Sequence, residues 1–157
     1  MTAEELAQGL TTYGAGLQAE LALLHQLEAL ALAQHEASQA NALDRLTRIG
    51  DDRARLMAAL VRIEHDLKPV RETIAAHLAA ARTLPLFDEV LVRHRQAGDL
   101  VARILDSDRQ VLRQLQDAEQ ARREAAHTIE AGEATLAAYR RVIAPTVASV
   151  GLVDRRG

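Results

Sequence analysis

An apolar stripe in the second half of the chain limits the possible folds more than any other property of the sequence. Phe87, Val90, Ala97, Val101, Ile104, Val111, Leu115, Ala118, Ala125, Ile129, Leu136, Tyr139 and Ile143 follow one another at steps of three, four or seven residues. That spacing returns side chains to one face of an α-helix, and its mean of about 3.5 is the period at which helices wind around each other. A helix over residues 86–142 would be about 85 Å long at a rise of 1.5 Å per residue. A monomer of 157 residues has no interior deep enough to hide such a rod, so it must lie along earlier helices or along another chain. Asp108 and Arg122 interrupt the stripe. Charged residues in a helical seam either set its register, at some cost in stability, or mark a stretch open to water, which reads as a partly exposed long helix or as a face that a partner is meant to cover.

The first half of the chain supplies helices of matching pattern. Leu17, Leu21, Leu24, Leu27 and Ala31 form one stripe. Leu46, Ile49, Leu56, Leu60, Ile63, Leu67, Val70, Ile74 and Ala81 form a second, with Arg53 and His77 at its two missing positions. Thr2 and Glu5 have the spacing of a capping box, which starts the first helix, while Gly14 and Gly16 weaken it. The polar residues 34–41 read as a bend or turn, and Gly50-Asp51 offers a second place to end one helix and cap another. Pro69 is expected to bend its helix without reversing it, because the stripe keeps its phase across the proline. Thr83-Leu84-Pro85 is the clearest turn, since proline discourages helix at the residue before it. Pro145 is expected to end the last helix. The predicted fold is all-α: a long antiparallel helical bundle or coiled coil of about three main helices over residues 1–144, followed by a flexible C-terminal tail over 145–157, mobile in the free protein.

Composition supports this reading. Ala and Leu dominate the apolar residues and aromatics are 2% of the chain, which favours helix over strand and leaves a thin, leucine-based seam. Zero cysteines exclude disulfides and thiolate sites and fit a reducing compartment. The net charge of -3 gives no overall attraction to nucleic acid, and Arg122-Arg123 and Arg140-Arg141 alternate with Glu119, Glu124, Glu130 and Glu133 as on a solvated helix. The N-terminal MTAEELAQGL is acidic where a signal peptide is basic. The most apolar run, residues 21–33, is broken by His25, Gln26 and Glu28, so no membrane insertion is expected. A soluble, cytoplasmic protein is the expectation.

Motifs for chemistry are sparse. Glu124 and His127 lie three apart, as in half of a di-iron site, but no second Glu-x-x-His exists, so an exposed polar pair is the better reading and no metal or other cofactor is expected. His25, His35, His65, His77, His94 and His127 are scattered over different faces. His77 and His94 fall at seam positions on either side of Pro85, where a symmetric hairpin would let them meet as a pH-sensitive pair; two boundary histidines is the plainer reading. Neither a phosphate loop nor a nucleophile motif is present, and no enzymatic activity is expected. The most suggestive segment is the last. Leu136, Ala137, Tyr139, Val142 and Ile143 form a short apolar face with one of the two tyrosines, followed after Pro145 by Val147, Val150, Leu152 and Val153. Tyrosine offers a large contact area with one polar end, so Leu136, Tyr139, Val142 and Ile143 are candidate client-binding residues. The alternative is that this end folds back and completes the bundle.

Three segments carry a family resemblance: Glu20-Leu21-Ala22-Leu23-Leu24 in an acidic, leucine-rich first helix, Leu43-Asp44-Arg45-Leu46-Thr47, and Arg53-Ala54-Arg55-Leu56-Met57. With the long final helix, they make the chain resemble the FlgN-type flagellar export chaperones over most of its length. It departs from their pattern where residues 50–52 lengthen the spacing between the Thr and the basic residue, and where Arg53 stands for the usual Lys. The resemblance implies a small cytosolic chaperone that binds hook-filament junction (hook-associated) proteins and delivers them to the flagellar type III export apparatus. It also implies client binding in the C-terminal region and an export-gate contact through an aromatic, which maps to Tyr139. The competing expectation is a homodimeric coiled-coil scaffold or tether with no chaperone role.

Overall fold

The computed structural model describes the backbone of residues 1–154 and side chains as far as Val142. Four helices occur in the order α1 (Ala3–Gln39), α2 (Leu43–Ala76), α3 (Leu78–Ala81) and α4 (Phe87–Asp154), with no strand among the described residues. The chain divides into two units, Met1–Leu112 and Arg113–Gly157. In the first unit the long helices α1 and α2 pack with the opening part of α4 as an all-α bundle.

Local chemistry accounts for the helix ends. Thr2 caps α1 in a full capping box: the Thr2 amide donates to Glu5 Oε2 at 2.7 Å and the Glu5 amide to Thr2 Oγ1 at 3.1 Å. The Thr2 backbone and hydroxyl bonds hold the Glu5 carboxyl below its usual range. α1 continues through most of the polar segment 34–41 and ends at Gln39. There Asn41 takes a positive φ of 53°, a conformation that asparagine tolerates better than most residues. The Asn41 amide donates to the Ser38 carbonyl at 3.2 Å and the Ala42 amide to the Ala37 carbonyl at 2.9 Å, the paired bonds of a Schellman cap. Gly50 lies within α2 and does not break it. Pro69 also lies inside α2, which runs on past it to Ala76, as the unbroken phase requires. At His77 the backbone leaves helical geometry before the short α3. Turn residues 82–86 then reverse the chain around Pro85.

The core consists of two apolar clusters. Leu6, Leu10, Tyr13, Leu17, Leu67, Ile74, Ala81 and Val90 form one, with Phe87 and Leu84 packed at its edge. Leu24, Leu27, Leu100 and Ile104 form the other, flanked by Leu21, Leu56, Leu60 and Ala97. The glycines expected to weaken α1 instead allow close packing. A Cβ on Gly16 would lie 2.6 Å from Leu67 Cδ1 and 2.8 Å from Cγ, and one on Gly14 would lie 3.3 Å from Val90 Cγ2. Leu100, outside the stripe read from the sequence, is buried, whereas its neighbour Val101 is 41% exposed. Leu100 packs with Leu24 and Leu27 of α1 and with Ile104 in the second cluster.

α4 remains helical to Asp154, so Pro145 does not end it. An internal proline forfeits one hydrogen bond and crowds a preceding carbonyl, at about 3 kcal/mol, yet its φ is compatible with helix. The basic end Arg155-Arg156-Gly157 lies outside the described residues, as do the side chains of Val147, Val150, Leu152 and Val153.

Candidate functional site: an uncovered face of α4

Two layers of polar side chains align the seam inside the first unit. At one level, Arg53 of α2 donates from Nη1 and Nη2 to the two carboxylate oxygens of Asp108 on α4, each at 2.7 Å, and from Nη1 to Gln34 Oε1 on α1 at 2.5 Å. The polar interruptions of two stripes are thus partners, and Asp108 holds the Arg53 guanidinium more firmly protonated than usual. At the other level Tyr13, Glu20, Glu64, Arg71 and His94 line a cavity of about 280 Å³ between α1, α2 and α4. Tyr13 Oη and His94 Nδ1 are 3.2 Å apart, and Arg71 pairs with Glu64. Glu20 is 7% exposed, and its Oε1 has no hydrogen-bond partner among the described residues. Burial, and next the neighbouring Glu64 carboxyl, push the Glu20 carboxyl up to about 7. Arg71 draws Glu64 the other way. Burial also raises the Tyr13 phenol, an effect the Arg71 guanidinium opposes.

The histidines at the seam therefore do not form the pair that a symmetric hairpin would allow. His94 meets Tyr13 across the bundle, and His77 Nδ1 bonds the Thr73 carbonyl of its own helix at 3.0 Å. Glu124 accepts from Gln120 Nε2 at 3.1 Å, and both Glu124 and His127 are exposed. Both layers tie helices together, and neither presents an activated nucleophile. The second layer was the harder to read from the sequence: Tyr13, Glu20, Glu64 and Arg71 carry no motif for chemistry, and the apolar spacing Leu17, Leu21, Leu24 runs past Glu20 without a break.

From residue 113 to 142 every described side chain on α4 is exposed apart from Glu119, which is half-buried. The stripe nevertheless continues. Leu115 is 46% exposed, Ile129 62%, Leu136 68%, Tyr139 61% and Val142 72%. Of the four client-binding candidates, Leu136 and Tyr139 occupy the stripe, Val142 sits beside it, and the Ile143 side chain lies outside the described residues. Leu136 also lines a shallow depression with Glu133, Ala137, Arg140 and Arg141. Arg122 and Arg123 turn back within the helix to Glu119, at 2.6 and 3.2 Å, and hold its carboxyl below the usual range. These short-range pairs are those of a solvated helix.

No family model, curated protein or solved structure matches the chain.

What this face offers is apolar contact area, with one phenol for orientation. A soluble monomer rarely leaves a row of large apolar side chains in water without a partner for it. No helix of the described residues is long and apolar enough to cross a membrane.

Proposed function

We propose that the chain is a helix-binding chaperone of the flagellar export type. Its clients are hook-filament junction proteins, whose amphipathic helices lie along residues 113–142 of α4 until export. The supporting observation is the exposure of Leu115, Ile129, Leu136, Tyr139 and Val142 on a helix whose earlier turns bury the same stripe at Val90, Ile104 and Val111. An amphipathic client helix would replace water along that row by the helix-in-groove mode, and no nucleotide is needed for such binding. The resemblance of residues 20–24, 43–47 and 53–57 to flagellar chaperones supplies the client class, and Tyr139 is assigned to the export-gate contact on the same basis. The cytoplasm is the compartment this reading requires.

The test is calorimetric titration of the purified chain with full-length hook-associated proteins encoded in the same genome. One of them should bind with a dissociation constant of about 1 μM or tighter, as expected for an interface of about 800 Å² per partner. Leu136→Glu should abolish binding and Tyr139→Ala weaken it at least about tenfold. Absence of any binding, or binding indifferent to both substitutions, rejects the reading.

A further inference from the structure

The stripe on the second unit alternates in size as well as in polarity. Large side chains stand at Leu115, Ile129 and Leu136, and small ones at Ala118, Ala125 and Gly132, the two sets interleaved at three- and four-residue steps. Arg122 falls in the large series and Tyr139 in the small one. Gly132 is conspicuous among them. A glycine in mid-helix costs about 1 kcal/mol relative to alanine, and a Cβ there would meet nothing within 4 Å inside the chain. Gly9, Gly50 and Gly98 are equally open, so openness alone selects nothing. Among the described glycines only Gly132 combines it with a seam position on the uncovered face.

From this alternation we infer that a second copy of the chain, running antiparallel, covers the face when no client is bound. Reversing one helix brings each member of the large series opposite a member of the small series, whereas parallel pairing would stack like on like. In the register centred between Glu130 and Ala131, Ile129 fills the gap at the partner's Gly132 and Leu136 the gap at the partner's Ala125. In the same register Arg122 lies over the ring of the partner's Tyr139, a favourable cation–aromatic contact. Glu119 flanks the seam opposite the partner's Arg140. The register one heptad away sets Glu119 against the partner's Glu133 and repels. A parallel pair would leave holes at Ala118, Ala125 and Gly132 and bring two Arg122 side chains together. The antiparallel pair is isologous, so every contact occurs twice about a two-fold axis and the assembly closes at two chains. Residues 119–140 span about 33 Å of helix, enough for a modest interface.

This names the occupant of the face that the client reading leaves open before a client arrives. Self-pairing rests on the proposed chaperone function only in giving way to a client, since the size alternation needs none.

The experiment is sedimentation equilibrium of the full chain without any client, at concentrations from about 1 to 500 μM, a range bracketing weak specific interfaces. The expected result is a reversible monomer–dimer equilibrium. Gly132→Leu should weaken it at least about tenfold while circular dichroism shows helix unchanged or increased, because leucine fills the gap yet favours helix. Arg140→Glu should weaken the dimer, and adding Glu119→Arg to it should restore most of the loss. Because the chain has no cysteine, Ala125→Cys mixed with Leu136→Cys should give a cross-linked heterodimer in higher yield than either variant alone. A monomer throughout, a dimer tolerant of Gly132→Leu, or preferential Ala125→Cys self-linking overturns the inference. Client titration is read separately: a self-pairing chain that binds no hook-associated protein keeps this inference and rejects the chaperone.

Discussion

Arg53 and Asp108, 55 residues apart in the chain, meet through two parallel 2.7 Å hydrogen bonds at the level where α2 and α4 each lack an apolar seam residue. Each polar interruption is what makes the other tolerable. Side-chain exposures of 19% and 30% place the pair at the edge of the core, where a two-pronged arginine–carboxylate contact fixes register as much as it adds stability.

Removing one partner should therefore be worse than removing both. Asp108→Ala, which leaves Arg53 half-buried with only Gln34, is expected to cost about 1–3 kcal/mol in urea denaturation. The double variant Arg53→Met with Asp108→Leu should lie within about 1 kcal/mol of the parent. Equal losses in the single and double variants would show that the pair does not act as a unit.

The Glu20 carboxyl sets the direction of the pH dependence. Its folded value is about 7, against an ordinary 4.5, so between those values the folded chain holds a proton that the unfolded chain has released. Stability contributed by this group is complete below 4.5 and is lost as pH rises through about 7. Glu64 is shifted the opposite way by Arg71, so its contribution disappears only as pH falls below 4.5. The denaturation midpoint should therefore peak near pH 5 and decline toward pH 8. Glu20→Gln should flatten that decline, with a gain on the order of 1 kcal/mol at pH 8 relative to the parent. An unchanged decline would remove Glu20 as its source.

Two glycine substitutions should move stability in opposite directions. Gly16→Ala places a methyl group against Leu67 and is expected to destabilise by about 1–3 kcal/mol despite its better helix propensity. Gly50→Ala meets nothing within 4 Å and should stabilise by about 0.5–1 kcal/mol. Thermal melts of the two variants beside the parent decide it.

Truncating core and face residues should separate packing from binding. Leu10 and Leu27 are the largest fully buried side chains, and changing either to Ala should cost about 2–5 kcal/mol. Leu136, at 68% exposure, should change stability by less than about 0.5 kcal/mol on the same substitution at concentrations where the chain is monomeric. A large loss at Leu136 would mean that the face is structural.

Much of the architecture was legible because apolar spacing reports directly which face of a helix leaves water. The stripes through Leu17 to Ala31, Leu46 to Ala81 and Phe87 to Val111 all line the bundle, and the Thr2–Glu5 cap and the Pro85 turn stand where their local chemistry requires. Spacing was silent where packing decides between neighbours, as with Leu100 and Val101. It also missed close helix approach, which turned Gly14 and Gly16 from weak points into contact points. The helix end at Gln39 depended on Asn41 accepting a left-handed backbone, one of several capping chances in that polar segment. At the candidate face, Leu136 and Tyr139 were visible as an apolar pair near the end of the rod. The size alternation around Gly132 acquires meaning only once the helix is known to be uncovered there.

The polar level at Tyr13, Glu20, Glu64 and His94 has one more effect. Because it lies between the two apolar clusters, loosening at the α3 end need not propagate to the Asn41 end, and the bundle should breathe by halves. Amide hydrogen exchange would then fall into two protection classes, with the boundary on α1 near Glu20 rather than at either terminus.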